Sequence, residues 1–426
     1  MGTRGLARWK KTIGLKWVYK VKYSEDGLIQ KHKARLVAKG YSQQPGVGFS
    51  EIYAPVARME TIRTCVAIAA QLEAPRAWNS KINSYFIKKG FNRSTSESSL
   101  YVKTIDKDFL IVCLYVDDLI YFGTNKAMVE EFKNQMMKEF EMTDLGLMKY
   151  FLGIQVKQSP GRIFLSQEKY IEDLLKKFNM SQCKPLSTLM ALNKNFQVND
   201  DGEKADSTSY RKLIGSLIYL NTRPNITHSV SLLSRFLNEQ IQIHFAAAKR
   251  ILRYLKGTKT QGIEFKKESK CKLVGYTDSD WAGSIDDRKS TSGYIFCLGS
   301  NVISWSSRKQ KFVALSSAEA EYIACIDAAC EAVWLQRILK DMKFEQCEPT
   351  IIHCDNMSSI AMTKNPIFHA RSKHIELRYH FIRYLVTQEV ISMKFIKTED
   401  QPADIMTKVV TIDKFDKFKK KLKITN

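Results

Sequence analysis

The sequence predicts a mixed α+β (mixed α/β) protein of two or three domains. Three observations point there: 426 residues exceed one ordinary core; short alternating runs are interleaved with stretches of 3.6-residue period; and from Cys271 onward the order reads three strands, helix, strand, helix, strand, helix. A hydrophobic fraction of 44% with 11% aromatics suits globular packing.

Taken in order, residues 15–41 read as a hairpin, LKWVYKVKY and LIQKHKARLVAKGY around SEDG, with Asp-Gly as the turn signal. Lys31, Lys33 and Arg35 fall two apart on one strand face, which suits phosphate contact or a solvated edge. METIRTCVAIAAQ (59–71) reads as helix and runs directly into LEAPRAWNSKINSYFIKKGF, a second helical stretch. SLYVKTI and DFLIVCLYVDDLIYFG supply strands, and KAMVEEFKNQMMKEF a helix with Met128, Phe132, Met136 and Phe140 on one face. KYFLGIQVKQ and RIFLSQ make another hairpin, and NDDGEKADSTS (199–209) a linker or exposed loop. HFAAAKRILRYLKGT is amphipathic, with Lys249, Arg253 and Lys256 close to one face; such a face either tracks phosphates or is merely solvated. Beyond it come the strand CKLVGYTDSDWAG, the hairpin SGYIFCLGSNVISWSS, the long helix from Ser316, the strand TIIHCDN, a helix, the strand VISMKFIKT, and PADIMTK opening a last helix. Ser316 and Glu319 have capping-box spacing.

The formal charge of +23 suggests a polyanionic partner, nucleic acid ahead of an acidic membrane surface. The first forty residues hold eleven Lys or Arg against Glu25 and Asp26, and the end is basic again in DKFDKFKKKLK. Nine cysteines without a C-x-x-C pair suit reduced thiols, in cytoplasm or nucleus. No stretch reads as a signal peptide or reaches the ~20 apolar residues of a membrane span. Nothing sets an oligomeric state.

Two carboxylate sites stand out. Asp117 and Asp118 interrupt the apolar run IVCLYVDDLIYF at a hairpin tip, where charge demands compensation and Mg²⁺ is the natural supplier; a tight turn, which Asp also favours, is the alternative. A two-metal polymerase needs a third carboxylate from a neighbouring strand. None of the acids before Asp117 sits within an apolar strand, so this set is short by one. The C-terminal set is full: Asp278 at a strand end, Glu321 in the long helix, Asp355 after the next strand and Asp404 at a helix start. Strand ends and helix starts of this kind converge at one rim, where four carboxylates suit two Mg²⁺ ions roughly 3.5–4 Å apart, with Mn²⁺ as substitute. Glu319 rivals Glu321 but is accounted for by the cap. Asp280 rivals Asp278 and would support it if the strand continued.

YVDD, KARLVAKGY, FSEIYAPVARMETIRT, APRAW, YFLGIQV, YRKLIGSLIYL, AAKRILRYLKGT and LSSAEAEY together resemble the C-terminal part of a copia-type retrotransposon Pol polyprotein, reverse transcriptase followed by ribonuclease H, over roughly residues 11–423. The resemblance implies polymerase fingers, palm and thumb at 11–185, a connection region at 186–267, a ribonuclease H-like domain at 268–412 and a basic tail at 413–426. It implies Asp117 and Asp118 as polymerase carboxylates, Lys33 and Arg35 in the fingers, and Asp278, Glu321, Asp355 and Asp404 as nuclease ligands. It also implies that several dozen palm residues, with the first catalytic aspartate, are missing after residue 71, and that the start is clipped. The expected function is two-metal hydrolysis of RNA in RNA–DNA hybrids, with DNA polymerisation from a template–primer lost or very weak. The alternative is a non-catalytic nucleic-acid-binding remnant; element-derived particles are a further expected location. Arg288, Lys289, Ser290 and Thr291 are candidates for hybrid contact. The loop KTEDQP lacks a product-release histidine, and His374 and His380 read as structural.

Overall fold

In the computed structural model, β1 (Leu15–Tyr23) and β2 (Ile29–Ala38) pair antiparallel. The structure describes residues 15–23, 29–38, 76–191, 196–198, 202–268, 271–364 and 373–425. Lys31 and Lys33 pair in register with Lys22 and Lys20, and Arg35 with Val18. The expected helix at 59–71 lies outside the described residues. The hairpin belongs to a small unit, and Lys81–Asn426 to a larger one.

From Lys81 on, α1 (Arg76–Lys88) belongs to the larger unit, where it buries Ile82 and Phe86, the latter ring against Phe91, Tyr101 and Phe132. A four-stranded antiparallel sheet follows: β3 (Asn92–Arg93), β4 (Leu100–Ile105), β5 (Asp108–Tyr115) and β6 (Asp118–Gly123). α2 (Lys126–Glu139) starts at Asn125, whose Oδ1 accepts from the Ala127 and Met128 amides. It buries Phe132 and Met136, as the four-residue spacing predicts.

The segments expected as separate domains share a second sheet. β7 (Tyr150–Phe151), β8 (Ile154–Ser159) and β9 (Arg162–Ser166) continue into β10 (Gly262–Lys266) and β16 (Ile424–Thr425). Between β9 and β10 lie α3 (Glu168–Lys177), α4 (Ser207–Ile218), α5 (Thr227–Ser234) and α6 (Gln242–Gly257), packed through Ile171, Leu174, Tyr210, Leu213, Leu233 and Ile251. Part of the loop expected at 199–209 is helix, because the Asp206 carboxylate caps α4 by accepting from the Thr208 and Ser209 amides.

The third sheet is β13–β12–β11–β14–β15, formed by β11 (Leu273–Ser279), β12 (Thr291–Leu298), β13 (Asn301–Lys309), β14 (Thr350–Cys354) and β15 (Ile391–Phe395). β11 pairs antiparallel with β12 and parallel with β14, which pairs parallel with β15. α7 (Ser317–Asp341) covers this sheet. It is buried along most of its length, and at its C-terminal end Ile338 and the following Met342 also pack on Leu100, Val102, Ile111 and Cys113 of the first sheet. α8 (Met357–Lys364) and α9 (Lys373–Thr387) complete the layer.

Two expectations are corrected. PADIMTK opens no α-helix; Pro402–Met406 is a 3₁₀ turn. Residues 413–426 are no loose basic tail, since α10 (Ile412–Lys421) fully buries Phe418 and β16 pairs with β10. Phe415 and Phe418, three apart, turn inward; Lys417, Lys420 and Lys421 are exposed, while Lys414 reaches the buried Asp404.

Candidate active site

β11 is the central strand of the third sheet, and Asp278 near its end is wholly buried. The 3₁₀ turn carrying Asp404 lies over neighbouring β12. Gly293 allows this approach: a Cβ there would stand 2.5 Å from Met406 Cβ. Gln401 fixes the turn. Its Nε2 donates to the carbonyls of Thr277 (2.9 Å) and His353 (3.4 Å), bridging β11 and β14, while its Oε1 accepts from the Ala403 amide. Thr407 Oγ1 donates to Asp278 Oδ2. Asp355 follows β14, and its Oδ2 accepts from Thr398 Oγ1 at 2.7 Å.

Glu321 comes from the first turns of α7. Ser316 Oγ accepts from the Glu319 amide and Glu319 Oε2 from the Leu315 amide, so Glu319 is occupied by the helix start. Gln310 Nε2 donates to Ser279 Oγ, Ser292 Oγ and the Ala320 carbonyl, tying helix start to strand end.

All four acids therefore meet. Ligand oxygens of Asp278, Asp355 and Asp404 lie within 4.8 Å of one another, as do ligand atoms of Glu321, Cys354 and Asp355. Asp355 belongs to both groups. Burial drives the Asp278 carboxyl up to about 6, with Lys408 opposing and Asp404 and Asp355 reinforcing. Glu321 is pushed to about 11, chiefly by burial and then by Asp278, Cys354 and Asp355. Lys408 Nζ stands 3.2 Å from Asp278 Oδ1 and 3.0 Å from Asp404 Oδ1, and Lys414 pairs with Asp404 Oδ2. Burial opposes the charge on Lys408, but the two aspartates outweigh it and raise its pKa. This largely oxygen donor set, crowded enough to disfavour full ionisation, fits hard divalent cations. Gln401, Thr407, Lys408 and Cys354 carried no local sequence signal.

Asp280 does not join the acids. β11 ends at Ser279, and the Asp280 carboxylate turns to accept from the Thr291 amide instead. Ser290 and Thr291, expected to meet nucleic acid, are buried: Ser290 Oγ accepts from the Ala282 amide and Thr291 Oγ1 from Arg235. Lys289 is paired with Asp287 at 3.4 Å, while Arg288 is exposed. Lys249 is exposed with its ammonium 4.5 Å from the Phe245 ring, and Arg253 Nε donates to the Lys184 carbonyl. Lys31, Lys33 and Arg35 fall on β2. His380 is exposed on α9.

Asp117 and Asp118 sit at the two-residue turn joining β5 to β6, where Tyr115 pairs with Asp118. Both are exposed, so burial does not raise the demand for compensation that the apolar flanks suggested. Val116 takes φ +59°, a left-handed conformation that β-branched residues avoid. Among the described residues, neither aspartate belongs to a group of three metal-ligating side chains. Asp108 begins β5 at its opposite end, seven steps of extended chain or roughly 23 Å from Tyr115, the residue that pairs with Asp118.

A family model described as reverse transcriptase (RNA-dependent DNA polymerase) matches in two pieces, residues 5–75 and 71–191. The retrovirus-related Pol polyprotein from transposon TNT 1-94 of Nicotiana tabacum is 36% identical over 472 residues, covering 96% of this chain and 35% of its own length. That alignment is longer than this chain, so dozens of the relative's residues have no counterpart here. A Ty5-1 transposon protein of Saccharomyces cerevisiae is 34% identical over 263 residues, 61% of this chain and 85% of its own. A crystal structure of LC11-RNase H1 in complex with RNA/DNA hybrid is 14% identical with a TM-score of 0.25, covering 32% of this chain and 94% of that one. The chain spans about a third of the Nicotiana relative's length. No helix among the described residues is long and apolar enough to cross a membrane.

Proposed function

The chain belongs to the copia-type family of retrotransposon Pol polyproteins, and on that premise we propose that its third sheet hydrolyses the RNA strand of RNA–DNA hybrids with two divalent cations. The observation that carries this reading is the membership of Asp355 in both ligand groups, which suits one carboxylate shared between two neighbouring ions. Asp278, Asp355 and Asp404 would hold one Mg²⁺, and Glu321 with Asp355 the other; Mn²⁺ would substitute. Two bound ions supply Lewis acidity and charge neutralisation at a phosphodiester.

The chain's own residues do the positioning. Thr398 orients Asp355, Thr407 orients Asp278, and Gln401 holds the turn that presents Asp404. Phosphates of the duplex would be met in the larger unit by Arg288 and Lys249 foremost, with Arg253 as a further contact; Lys31, Lys33 and Arg35 of β2 are proposed separately as nucleic-acid contacts of the smaller unit. Polymerase chemistry is expected to be absent or very weak: the family match falls into two pieces that meet at residues 71–75, and among the described residues no group of three metal-ligating side chains includes Asp117 or Asp118.

The test is cleavage of an end-labelled RNA–DNA hybrid by the full chain with Mg²⁺, beside Asp355→Asn. Cleavage of RNA in the hybrid alone, lost in the variant, supports the reading; equal background from both rejects it. A second reading, a nucleic-acid-holding protein without turnover, is favoured by Lys408 and Lys414, which neutralise Asp278 and Asp404 with the chain's own charges. It predicts salt-sensitive binding of the same hybrid and no cleavage.

A further inference from the structure

The rim beside the acids carries an apolar patch that the hydrolysis itself does not use. Trp281, three residues past Asp278, is 57% exposed. Phe312, Val313 and Leu315, just ahead of the helix that carries Glu321, are exposed with it.

Two loops meet here, and hydrogen bonds hold them together. Trp281 Nε1 donates to the Ala314 carbonyl at 3.3 Å, the Gln310 amide to the Ser290 carbonyl at 2.7 Å, and the Ala282 amide to Ser290 Oγ at 3.1 Å. The indole is fixed by its polar edge while most of the side chain stays in solvent. A single exposed apolar residue is ordinary, but four on one rim make the kind of patch that marks an interaction.

The charge left facing outward around this patch is positive. Asp287 is taken by Lys289 and Lys309, Asp286 by the Val198 amide, Asp280 by the Thr291 amide and Glu319 by the start of α7. Arg288, Arg308 and Lys311 are exposed and, among the described residues, form no ion pair. Apolar rings bordered by such cations suit a polyanion that has apolar faces of its own, and nucleic acid has both. A phosphate held at the acids brings its duplex over this rim. Trp281 follows Asp278 by at most roughly 11 Å of chain, about three nucleotide steps along a strand.

We infer that Trp281 and Phe312 pack on sugars and base edges in the shallow minor groove of an RNA–DNA hybrid, with Arg288, Arg308 and Lys311 on the flanking phosphates. The identity of this duplex rests on the nuclease reading; the patch and its charge do not.

The test reads binding: anisotropy of a fluorescein-labelled RNA–DNA hybrid titrated with the full chain in EDTA at several salt concentrations. Trp281→Ala combined with Phe312→Ala should weaken binding at least tenfold and leave the slope of log affinity against log salt unchanged, because the lost contacts release no counterions. Arg308→Gln combined with Lys311→Gln should weaken binding and flatten that slope. Trp281→Phe, which keeps a ring, should lose far less than Trp281→Ala. Ile218→Ala, at an exposed apolar residue of α4, should stay within twofold. Unchanged affinity in the alanine pair would mean that the patch serves a protein or a membrane, and overturns the inference, as does absence of saturable binding by the wild type. Cleavage is scored separately: a hybrid cut by the wild type and bound equally by the alanine pair rejects the patch alone, and one bound through the patch but never cut rejects the nuclease alone.

Discussion

Lys408 Nζ lies 3.2 Å from Asp278 Oδ1, an exposed-ended cation resting on a wholly buried carboxylate. The same ammonium reaches Asp404, so one side chain neutralises two of the four acids. Lys408→Met should therefore act in two directions. Without divalent ions it destabilises the fold by roughly 1–3 kcal/mol, below the figure for a fully buried pair because Lys408 is 39% exposed. With the competing charge gone, half-saturation by Mn²⁺ should fall several-fold. Melting in EDTA and calorimetric Mn²⁺ titration measure both; unchanged Mn²⁺ affinity would mean the lysine does not share the ions' place.

Stability in the absence of metal should decline as pH rises. Asp278 titrates at about 6 and Glu321 at about 11 when folded, while unfolded carboxyls titrate near 4. Between those limits the folded state binds more protons than the unfolded chain, so the slope of unfolding free energy with pH is negative. Asp278 contributes up to about pH 6 and Glu321 continues beyond it. Each proton released on unfolding weakens the fold by about 1.4 kcal/mol per pH unit. Melting temperature in EDTA should drop from pH 5 to 8, and Glu321→Gln should flatten the upper part of that fall. A level wild-type profile would contradict the burial of these acids.

Gln401 makes three hydrogen bonds with one fully buried side chain. Gln401→Ala leaves the Thr277 and His353 carbonyls without that donor, and a loss of about 2–3 kcal/mol is expected. Because the same bonds present Asp404, hybrid cleavage should fall more than tenfold at a temperature where urea titration shows the variant still folded. Full cleavage by a folded variant would show that Asp404 is positioned without it.

The four acids were legible because each ends a strand or begins a helical stretch, and local patterning finds such places. Their partners were not. Gln401 meets Thr277, Thr407 meets Asp278 and Lys408 meets Asp278 across more than 120 residues, and no period records such a pairing. PADIMTK has the proline and apolar spacing of a helix start, but its packing over Gly293 holds it as a 3₁₀ turn. In DKFDKFKKKLK, charge concealed the two phenylalanines that anchor α10. β9, β10 and β16, drawn from three segments far apart in sequence, pair in one sheet, and no local pattern announces pairing over such separations. At YVDD the apolar flanks suggested burial, yet the turn lifts both aspartates into solvent.

Val116 retains a strained conformation at that turn, φ +59°, immediately before Asp117. Strain of this kind persists where surrounding structure imposes it, and here the imposition is the two-residue link between β5 and β6. Val116→Gly should relieve roughly 1–2 kcal/mol of left-handed strain and return part through glycine's larger unfolded-state entropy, roughly 0.5–1 kcal/mol. A net gain of about 0.5–1 kcal/mol in urea unfolding is the expected result, and a loss would mean that the valine side chain packs more than its backbone strains. Chemistry at the same turn gives an independent reading. If the aspartates lack a third ligand, primer extension on an RNA template should be no greater for the wild type than for Asp117→Asn. Incorporation that disappears in Asp117→Asn would place a further carboxylate beside Asp117 and restore polymerase activity to this chain.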